Sequence, residues 1–302
     1  MYIKTAGRPN LQPYTIVQKS GIMPSNVGSS QNPMKTVLAI PLKPELLHLD
    51  EDELAFYKKK TGIEDTEELK QNIIKIQEEA YEVFPYPCIH CFAFTKLQIS
   101  HLDAYTKAIQ LGQERPGALF LDLGCCFGND VRKAVSDGFP ANQALASDLH
   151  EEFWQLGYKL FCDSPETFPV PFIQGDIFDD TFLQVNNSRN IHDNAMEGLN
   201  NNINIPDSNS PRLVPDISNL KSLNSLHGHI SIIHASQFFH LFNEDQQTLL
   251  AHKLASLLSP EPGSIIFGVH GGQPVKGTFQ FFRQRGHEGG MFCHSPESWI
   301  EL

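Results

Sequence analysis

A thirteen-residue stretch, ALFLDLGCCFGND at residues 118–130, constrains the fold more than any other part of the chain. It begins with an apolar run, which predicts a central strand covered on both faces by helices. Two glycines, Gly124 and Gly128, follow in a turn where the missing Cβ lets the backbone approach other backbone or a ligand closely. Asn129 is predicted as the N-cap of a helix that ends near Gly138. Strand, glycine turn and helix together predict a corner that binds a cofactor.

The spacing of the glycines limits the class of cofactor. The turn lacks the Gly-Lys-Ser/Thr of a P-loop, and its spacing does not match the dinucleotide fingerprint G-x-G-x-x-G. Asp122 stands just before the first glycine, where its charge would repel a pyrophosphate but can accept a hydrogen bond from an ammonium group. The turn therefore favours a ligand that carries an amino acid end.

These residues resemble the first motif of the class I S-adenosylmethionine-dependent methyltransferases, D/E-x-G-x-G-x-G. Asp122, Gly124 and Gly128 match that motif. Cys126 stands in place of its middle glycine and makes the loop slightly bulkier. The resemblance implies that the cofactor is S-adenosyl-L-methionine and that its amino group lies near Asp122.

Two later acids support the same resemblance. Asp148 follows Gly128 by 20 residues and closes a second apolar run, where an acid at a strand end can bind both ribose hydroxyls. Asp176 follows a third run, where the family recognises the adenine amino group, and Ile177 is expected to pack on the adenine ring. The cofactor-binding residues implied by the resemblance are Asp122, Leu123, Gly124, Cys125, Gly128, Asp148, Leu149, Asp176, Ile177, His234 and Ala235.

The order of predicted elements indicates the fold class. Strands and helices alternate from residue 113 onward, which predicts an α/β fold, a Rossmann-like doubly wound parallel sheet. Residues 1–44 are predicted to be an irregular, proline-rich arm, and residues 45–112 a helical extension that by resemblance closes as a lid. Residues 113–302 form the S-adenosylmethionine-binding domain, with a polar, asparagine-rich loop insertion at 185–228.

The C-terminal part of the chain is short for this class of fold. Only 33 residues follow Val269, whereas the fold usually ends with a further helix and an antiparallel hairpin that completes a seven-stranded sheet. We therefore expect the hairpin to be missing and an apolar edge of the sheet to lie open.

Composition excludes several classes of function. A formal charge of −12 argues against a surface that follows nucleic-acid phosphates. No apolar run approaches the roughly 20 residues of a membrane helix, and the first residues lack the apolar core of a signal peptide. The six cysteines show no disulfide-framework spacing, and Cys88 and Cys91 are expected to pack and not to bind metal. These patterns predict a cytoplasmic protein that binds a small-molecule acceptor, no metal, no nucleic acid and no membrane; a homodimer stays open.

Methyl transfer requires few catalytic residues. It is an in-line displacement, for which the protein mainly aligns donor and acceptor and excludes water. A carboxylate acceptor is already ionised near pH 7, whereas a hydroxyl acceptor needs a base. The candidate bases are His234, His240 and His270, each at or after the predicted end of a strand, and each is also compatible with a polar residue at a pocket edge.

Several segments besides the glycine turn are similar to fungal methyltransferases of natural-product pathways, including those that esterify carboxyl groups of meroterpenoid intermediates. They are residues 84–92, SIIHASQFFHLF and LSPEPGSIIFGVHGG. The resemblance implies an O-methyltransferase of fungal secondary metabolism that esterifies the carboxyl group of a small hydrophobic acid, with a phenol or enol as the alternative acceptor. Two alternatives stay open: a nicotinamide-dependent reductase that uses Asp148, and a catalytically silent scaffold, suggested by Cys126 and the short C-terminus.

Overall fold

A computed structural model describes residues 2–6, 41–185, 215–282 and 288–302 of the chain. Its main sheet has six strands, all parallel, in the spatial order β1-β6-β5-β2-β3-β4. In chain order these strands are β1 (Tyr2–Ala6), β2 (Leu119–Leu123), β3 (Ala144–Asp148), β4 (Phe172–Gln174), β5 (Ile230–His234) and β6 (Ile265–Gly271). The predicted Rossmann-like α/β class is confirmed.

The direction in which the sheet grows reverses at β2. From β2 the chain adds β3 and β4 on one side and then returns to add β5 on the other side. Asp122 near the end of β2 accordingly pairs with Ala146 of β3 and with His234 of β5. Such a reversal opens a crevice at the carboxyl ends of the strands, where ligands of open α/β sheets bind.

Helices flank this sheet and form the N-terminal extension. They are α1 (Glu51–Thr61), α2 (Thr66–Val83), α3 (Pro87–His90), α4 (Tyr105–Glu114), α5 (Asn129–Ser136), α6 (Glu151–Phe161), α7 (Glu244–Leu257) and α8 (Pro296–Glu301). Asp50 and Glu53 form the predicted capping box of α1. The apolar stripe of α2 packs on α6, in a core cluster that also contains Phe127 of the glycine turn. The N-terminal extension therefore shares a hydrophobic core with the glycine turn.

Two expectations about the C-terminal part of the chain are wrong. An antiparallel hairpin is present, formed by β7 (Gly277–Phe282) and β8 (Glu288–Cys293), but it is a separate two-stranded sheet. The edge beside β6 is not open, because β1 pairs along it from Tyr2 opposite Phe267 to Ala6 opposite Gly271. The hairpin cannot add to an edge that β1 already occupies, and the first residues of the predicted irregular arm form a strand.

Other predicted segments lie outside the described residues. This holds for the rest of the arm, at 7–40, and for most of the polar insertion, at 186–214. Every helix within the described ranges is too short or too polar to span a bilayer.

Candidate active site

The glycine turn between β2 and α5 has a backbone that favours glycine at three positions. Gly124 and Gly128 have φ angles of 68° and 71°, in the left-handed region. A Cβ atom on Gly124 would lie 2.6 Å from the ring of Phe238. Cys126, in place of the motif's middle glycine, has a φ of 51°, a conformation that costs a non-glycine residue roughly 1–2 kcal/mol. The turn therefore keeps the backbone of a three-glycine motif although one glycine is replaced.

Asp148 lies where the sequence predicts it, at the end of β3 beside this turn. Its Oδ2 accepts a hydrogen bond from the backbone N–H of Cys126 at 2.9 Å, and its Oδ1 accepts one from the N–H of His150 at 3.1 Å. The N–H of Gly124 also donates to the carbonyl oxygen of Ser147, at 2.8 Å. Desolvation raises the pKa of Asp148, and the two backbone hydrogen bonds oppose that rise. The carboxyl group thus fixes the turn while each of its oxygens keeps a second lone pair.

Asp122 is buried beneath the turn and is committed to the protein. Asp122 is 2% exposed, and its Oδ1 lies 2.8 Å from Nδ1 of His234. Its Oδ2 accepts a hydrogen bond from the N–H of Val131 at 3.2 Å. Both oxygens are therefore occupied once, and a hydrogen bond from a ligand ammonium group would have to use a remaining lone pair.

His234, predicted as a candidate base and as part of the cofactor site, is equally inaccessible, at 1% exposed. Its Nε2 lies 2.7 Å from Oγ of Ser236 and 3.9 Å from a carboxylate oxygen of Asp130. The Oγ of Ser236 also accepts the N–H of Val269, at 3.2 Å. Burial lowers the pKa of His234, but the hydrogen bond that Asp122 accepts from it and the charges of Asp130 and Asp122 outweigh burial and raise the pKa overall. His234 therefore meets other groups only through its neighbours. Ser236 and Asp130 are both partly exposed, but only Ser236 lies within hydrogen-bond distance of Nε2.

Asp130 is the second acid next to His234, and sequence reasoning singled out neither Asp130 nor Ser236. Burial raises the pKa of Asp130 to about 6, with His234 opposing and Asp122 adding to the rise. Its Oδ1 accepts a hydrogen bond from the N–H of Ile99 in the extension, at 3.2 Å. No local signal marks Ser236, because it lies two residues beyond the end of β5, where the alternation of strand side chains no longer applies.

The extension contacts this edge of the sheet through polar groups as well. The side-chain amide of Asn129 donates to the hydroxyl of Tyr57 and to the carbonyl oxygen of Phe94. The side-chain amide of Gln237 donates to Gln98 at 3.3 Å. Asn129 was predicted as an N-cap, but the N-cap of α5 is Gly128, because the amide of Asn129 serves the extension.

The remaining predicted cofactor residues fall into two groups. Leu149 is 44% exposed at the end of β3, and Asp176 is exposed after β4, where its Oδ1 accepts the N–H of Phe178 at 2.9 Å. Ile177, expected to pack on the adenine ring, is 5% exposed and packs in the main core cluster. The others, which are buried and can offer a ligand mainly their backbone, are Leu123, Cys125 and Ala235.

His240 and His270 lie in a different, aromatic cluster near the end of β6. The ring of His270 lies 4.2 Å from that of Trp299 and 6.0 Å from that of Phe239, measured between centroids. His270 is 2% exposed, and neither ring nitrogen has a hydrogen-bond partner among the described residues. Burial lowers the pKa of His270 to about 4, and the charges of His240 and His294 add to this. His270 is therefore a neutral imidazole at pH 7, buried against aromatic rings.

Arg132 supports the turn from behind, and no pattern in the sequence marked it. Its fully buried guanidinium forms a two-point ion pair with Asp163, at 2.8 and 2.9 Å. Its Nη1 donates to the carbonyl oxygen of Phe127 at 2.7 Å. The guanidinium carbon lies 4.3 Å from the ring centroid of Phe168 and 5.2 Å from that of Trp154. Two side chains therefore hold the turn: Arg132 donates to the carbonyl oxygen of Phe127, and Asp148 accepts the N–H of Cys126.

Comparisons with known proteins find similar methyltransferases. Residues 42–95 match the family model described as the meroterpenoid methyltransferase N-terminal domain. The chain is 34% identical over 201 residues to the Asnovolin E/Chermesin D methyltransferase nvfJ of Aspergillus novofumigatus, which covers 67% of this chain and 58% of that protein. It is 30% identical over 230 residues to the O-methyltransferase phiE of a fungal species, covering 75% of this chain and 61% of that protein. With the O-methyltransferase atr3 of Stereocaulon alpinum the identity is 30% over 213 residues, 70% of this chain and 50% of that protein.

The chain therefore spans about 60% of the length of the first two relatives. A solved S-adenosylmethionine-dependent methyltransferase from Mesorhizobium loti superposes with a TM-score of 0.30 at 15% identity, over 64% of this chain and 65% of that chain. The sequence matches confirm the recognition made from the motifs: the chain resembles the class I S-adenosylmethionine-dependent methyltransferases, and among them the O-methyltransferases of fungi.

Proposed function

We propose that the chain binds S-adenosyl-L-methionine at the glycine turn and transfers its methyl group to an oxygen atom of a small hydrophobic acceptor in fungal secondary metabolism. The acceptor oxygen belongs to a carboxyl or a hydroxyl group. The observation that carries this proposal is the contact between Asp148 and the N–H of Cys126, at 2.9 Å. It brings the glycine turn of β2 and the acid of β3 together at the crevice where the strand order reverses.

The residues at this crevice fit the parts of the donor. Asp148 keeps lone pairs for ribose hydroxyls, and Leu149, 44% exposed beside it, offers an apolar surface for a ring. Asp176 is exposed one strand further along, where it can accept a hydrogen bond from the adenine amino group. When bound, the donor supplies a methyl group on a sulfonium sulfur, which is a very good leaving group. The chain's own task is to orient the two reactants and to exclude water.

The charges near α5 favour this ligand over a nicotinamide dinucleotide. A dinucleotide places its pyrophosphate on the N-terminus of the helix after the glycine turn. Here that helix begins with Asn129 and Asp130, and Asp122 lies beneath the turn, with a hydrogen bond to the N–H of Val131. Two carboxyl groups at this point would repel a pyrophosphate, which argues against the reductase.

An aromatic surface borders the turn on the acceptor side. The ring of Phe238 lies against Gly124, and it packs on Phe242 at 5.2 Å between ring centroids. Phe178 packs on the same Phe242 at 4.8 Å, and all three rings are only partly buried. Such a surface suits an apolar acceptor, as meroterpenoid and polyketide intermediates are.

Titration calorimetry with S-adenosylmethionine, S-adenosylhomocysteine and NADPH tests the proposal. We expect both adenosyl ligands to bind and NADPH not to bind. Asp148→Ala should weaken binding of the donor by roughly 10- to 100-fold, because two ribose hydroxyls lose a charged acceptor. Asp103→Ala, which changes an exposed acid of the extension, is the matched control and should leave the affinity unchanged.

Turnover separates the remaining alternatives. Incubation with a methyl-labelled donor and a panel of aromatic and terpenoid acids and phenols should yield methylated product, detected by mass spectrometry. Binding of NADPH in place of the donor would favour the reductase. Donor binding without methylation of any acceptor would favour the silent scaffold, and an unchanged affinity in Asp148→Ala would contradict the ribose assignment.

A further inference from the structure

Three polar side chains form a continuous hydrogen-bonded row at the carboxyl ends of the neighbouring strands β2 and β5. Asp122 near the end of β2 contacts Nδ1 of His234 on β5 at 2.8 Å, and Nε2 of His234 contacts Oγ of Ser236 at 2.7 Å. The N–H of Val269 on β6 donates to the same Oγ at 3.2 Å. We call Asp122, His234 and Ser236 the relay.

The partners of each atom fix the direction of the hydrogen bonds. An ionised carboxylate only accepts, so the hydrogen between Asp122 and His234 belongs to Nδ1. Nε2 of the neutral ring is then an acceptor, and the hydroxyl of Ser236 donates to it. Because a hydroxyl oxygen has two lone pairs and one already accepts the N–H of Val269, one lone pair of Ser236 is left for a ligand.

Only one end of the relay can reach a ligand. Asp122 and His234 are 2% and 1% exposed, whereas Ser236 is half-buried and follows the carboxyl end of β5. The next residue, Gln237, has a φ of 53° and donates its N–H to the carbonyl oxygen of Val269 at 2.6 Å. On the other side, Ala235 donates its N–H to the carbonyl oxygen of Phe267 at 3.0 Å, so the backbone on both sides of Ser236 is tied to β6.

We propose that Ser236 is a catalytic residue that takes the proton of a hydroxyl acceptor and passes its own proton to His234, with His234 and Asp122 as positioning residues. The inference rests on the proposed methyl transfer and names its acceptor class, a phenol or an enol. The methyl–sulfur bond breaks with its electron pair left on sulfur, and the oxygen–methyl bond forms. The acceptor's proton moves to Oγ of Ser236 as the serine proton moves to Nε2. A carboxylate acceptor carries no such proton and gains nothing from the relay.

The charges around His234 favour the protonated ring that this step leaves behind. Asp122 faces Nδ1, and Asp130 at the start of α5 lies 3.9 Å from Nε2. Behind Asp130 lies His101 of the extension, whose charge acts on that acid, and the ring of Phe267 on β6 packs against His234 at 5.3 Å. The pKa of His234 is raised by these acids in spite of its burial. The ring must first be neutral to accept a proton, so hydroxyl methylation should rise with pH as His234 deprotonates.

Two acceptors on one carbon skeleton separate the relay from a structural role. Ser236→Ala should lower kcat for 2-naphthol by at least about 100-fold and abolish the acid limb of its pH profile. For 2-naphthoic acid, already ionised, kcat should stay within about twofold. Ser236→Thr, which restores a hydroxyl, should recover most of the rate with 2-naphthol. The control Ser231→Ala changes a buried serine of β5, away from the carboxyl end of that strand, and should alter neither rate.

Equal losses with both acceptors, or no loss with 2-naphthol, would overturn the proposal. If neither acceptor is methylated, nitrogen-15 NMR near pH 8.5 tests the relay by showing which ring nitrogen of His234 carries the hydrogen. The relay requires a hydrogen on Nδ1, a bare Nε2, and a shift of the Nε2 signal in Ser236→Ala; a hydrogen on Nε2 in the unchanged chain would refute it. Failure of the donor to bind in calorimetry would instead refute the proposed function. The nitrogen-15 spectrum does not depend on donor binding, so the two proposals can fail separately.

Discussion

Arg132 shows how much of the site depends on a residue that touches no ligand. Its guanidinium is fully buried and is shared between Asp163 and the carbonyl oxygen of Phe127 in the glycine turn. A buried charge is tolerated only when each of its donors has a partner, and the planar fork of arginine matches the two carboxylate oxygens. No local pattern predicts such a residue, because its partner lies 31 positions away and its role appears only when α5 and α6 pack together.

Replacing this arginine should destabilise the fold. In Arg132→Met the carboxylate of Asp163 loses its partner, and the free energy of unfolding should fall by about 3 kcal/mol. Urea denaturation followed by circular dichroism measures this change. The double variant Arg132→Met/Asp163→Asn removes the stranded charge and should recover part of the loss. A change under about 0.5 kcal/mol in Arg132→Met would contradict the role given to this ion pair.

His270 makes a second prediction at this scale, in acid. Its pKa is about 4 in the folded chain, chiefly because of burial, against roughly 6.5 in an unfolded chain. Between these values the unfolded chain binds a proton that the folded chain does not, so stability rises with pH. The contribution of His270 is therefore complete above pH 6.5 and is lost as the pH falls towards 4, by roughly 3 kcal/mol.

Urea denaturation at several pH values tests this. Between pH 6.5 and pH 4 the free energy of unfolding should fall less steeply in His270→Gln than in the unchanged chain, since glutamine does not titrate. Parallel slopes for the two proteins would show that His270 is not the group that resists protonation.

At the scale of elements, the sequence predicted the helices and strands whose formation depends on neighbouring residues. The capping box at Asp50, the apolar stripe of α2 and the apolar runs of β2 to β6 all have their cause in neighbouring residues. The edge strand β1 and the separate hairpin were missed. Strand β1 exists because it pairs with β6, some 265 residues along the chain, and no periodicity at the N-terminus shows that partner.

Removing the edge strand should expose the backbone groups of β6. We expect deletion of residues 1–6 to lower the free energy of unfolding by roughly 1–3 kcal/mol and to promote association between chains through the freed edge. Urea denaturation and light scattering check the two effects. Replacing residues 2–6 with a Gly-Ser segment of the same length is the matched comparison and should act similarly. If deletion changed neither quantity, β1 would not protect the sheet.

At the scale of the whole molecule, the site is a product of strand order. The acids and glycines could be named from the sequence because a strand that ends in a polar residue places that residue at the carboxyl edge of the sheet. The relay could not be named, because it requires β5 to return beside β2 and β6 to follow beside β5. The extension was predicted as a lid, and Ile99 and Gln98 reach Asp130 and Gln237 at that same edge.

The central claim is that one crevice, between β2 and its neighbours, binds the methyl donor. A crystal structure of the chain with S-adenosylhomocysteine tests it most directly. The account predicts the nucleoside at the carboxyl ends of β2, β3 and β4, with its ribose hydroxyls bound to Asp148. The side chain of Ser236 should remain open towards the acceptor. A nucleoside bound elsewhere, or an Asp148 that faces away from the ribose, would contradict the account.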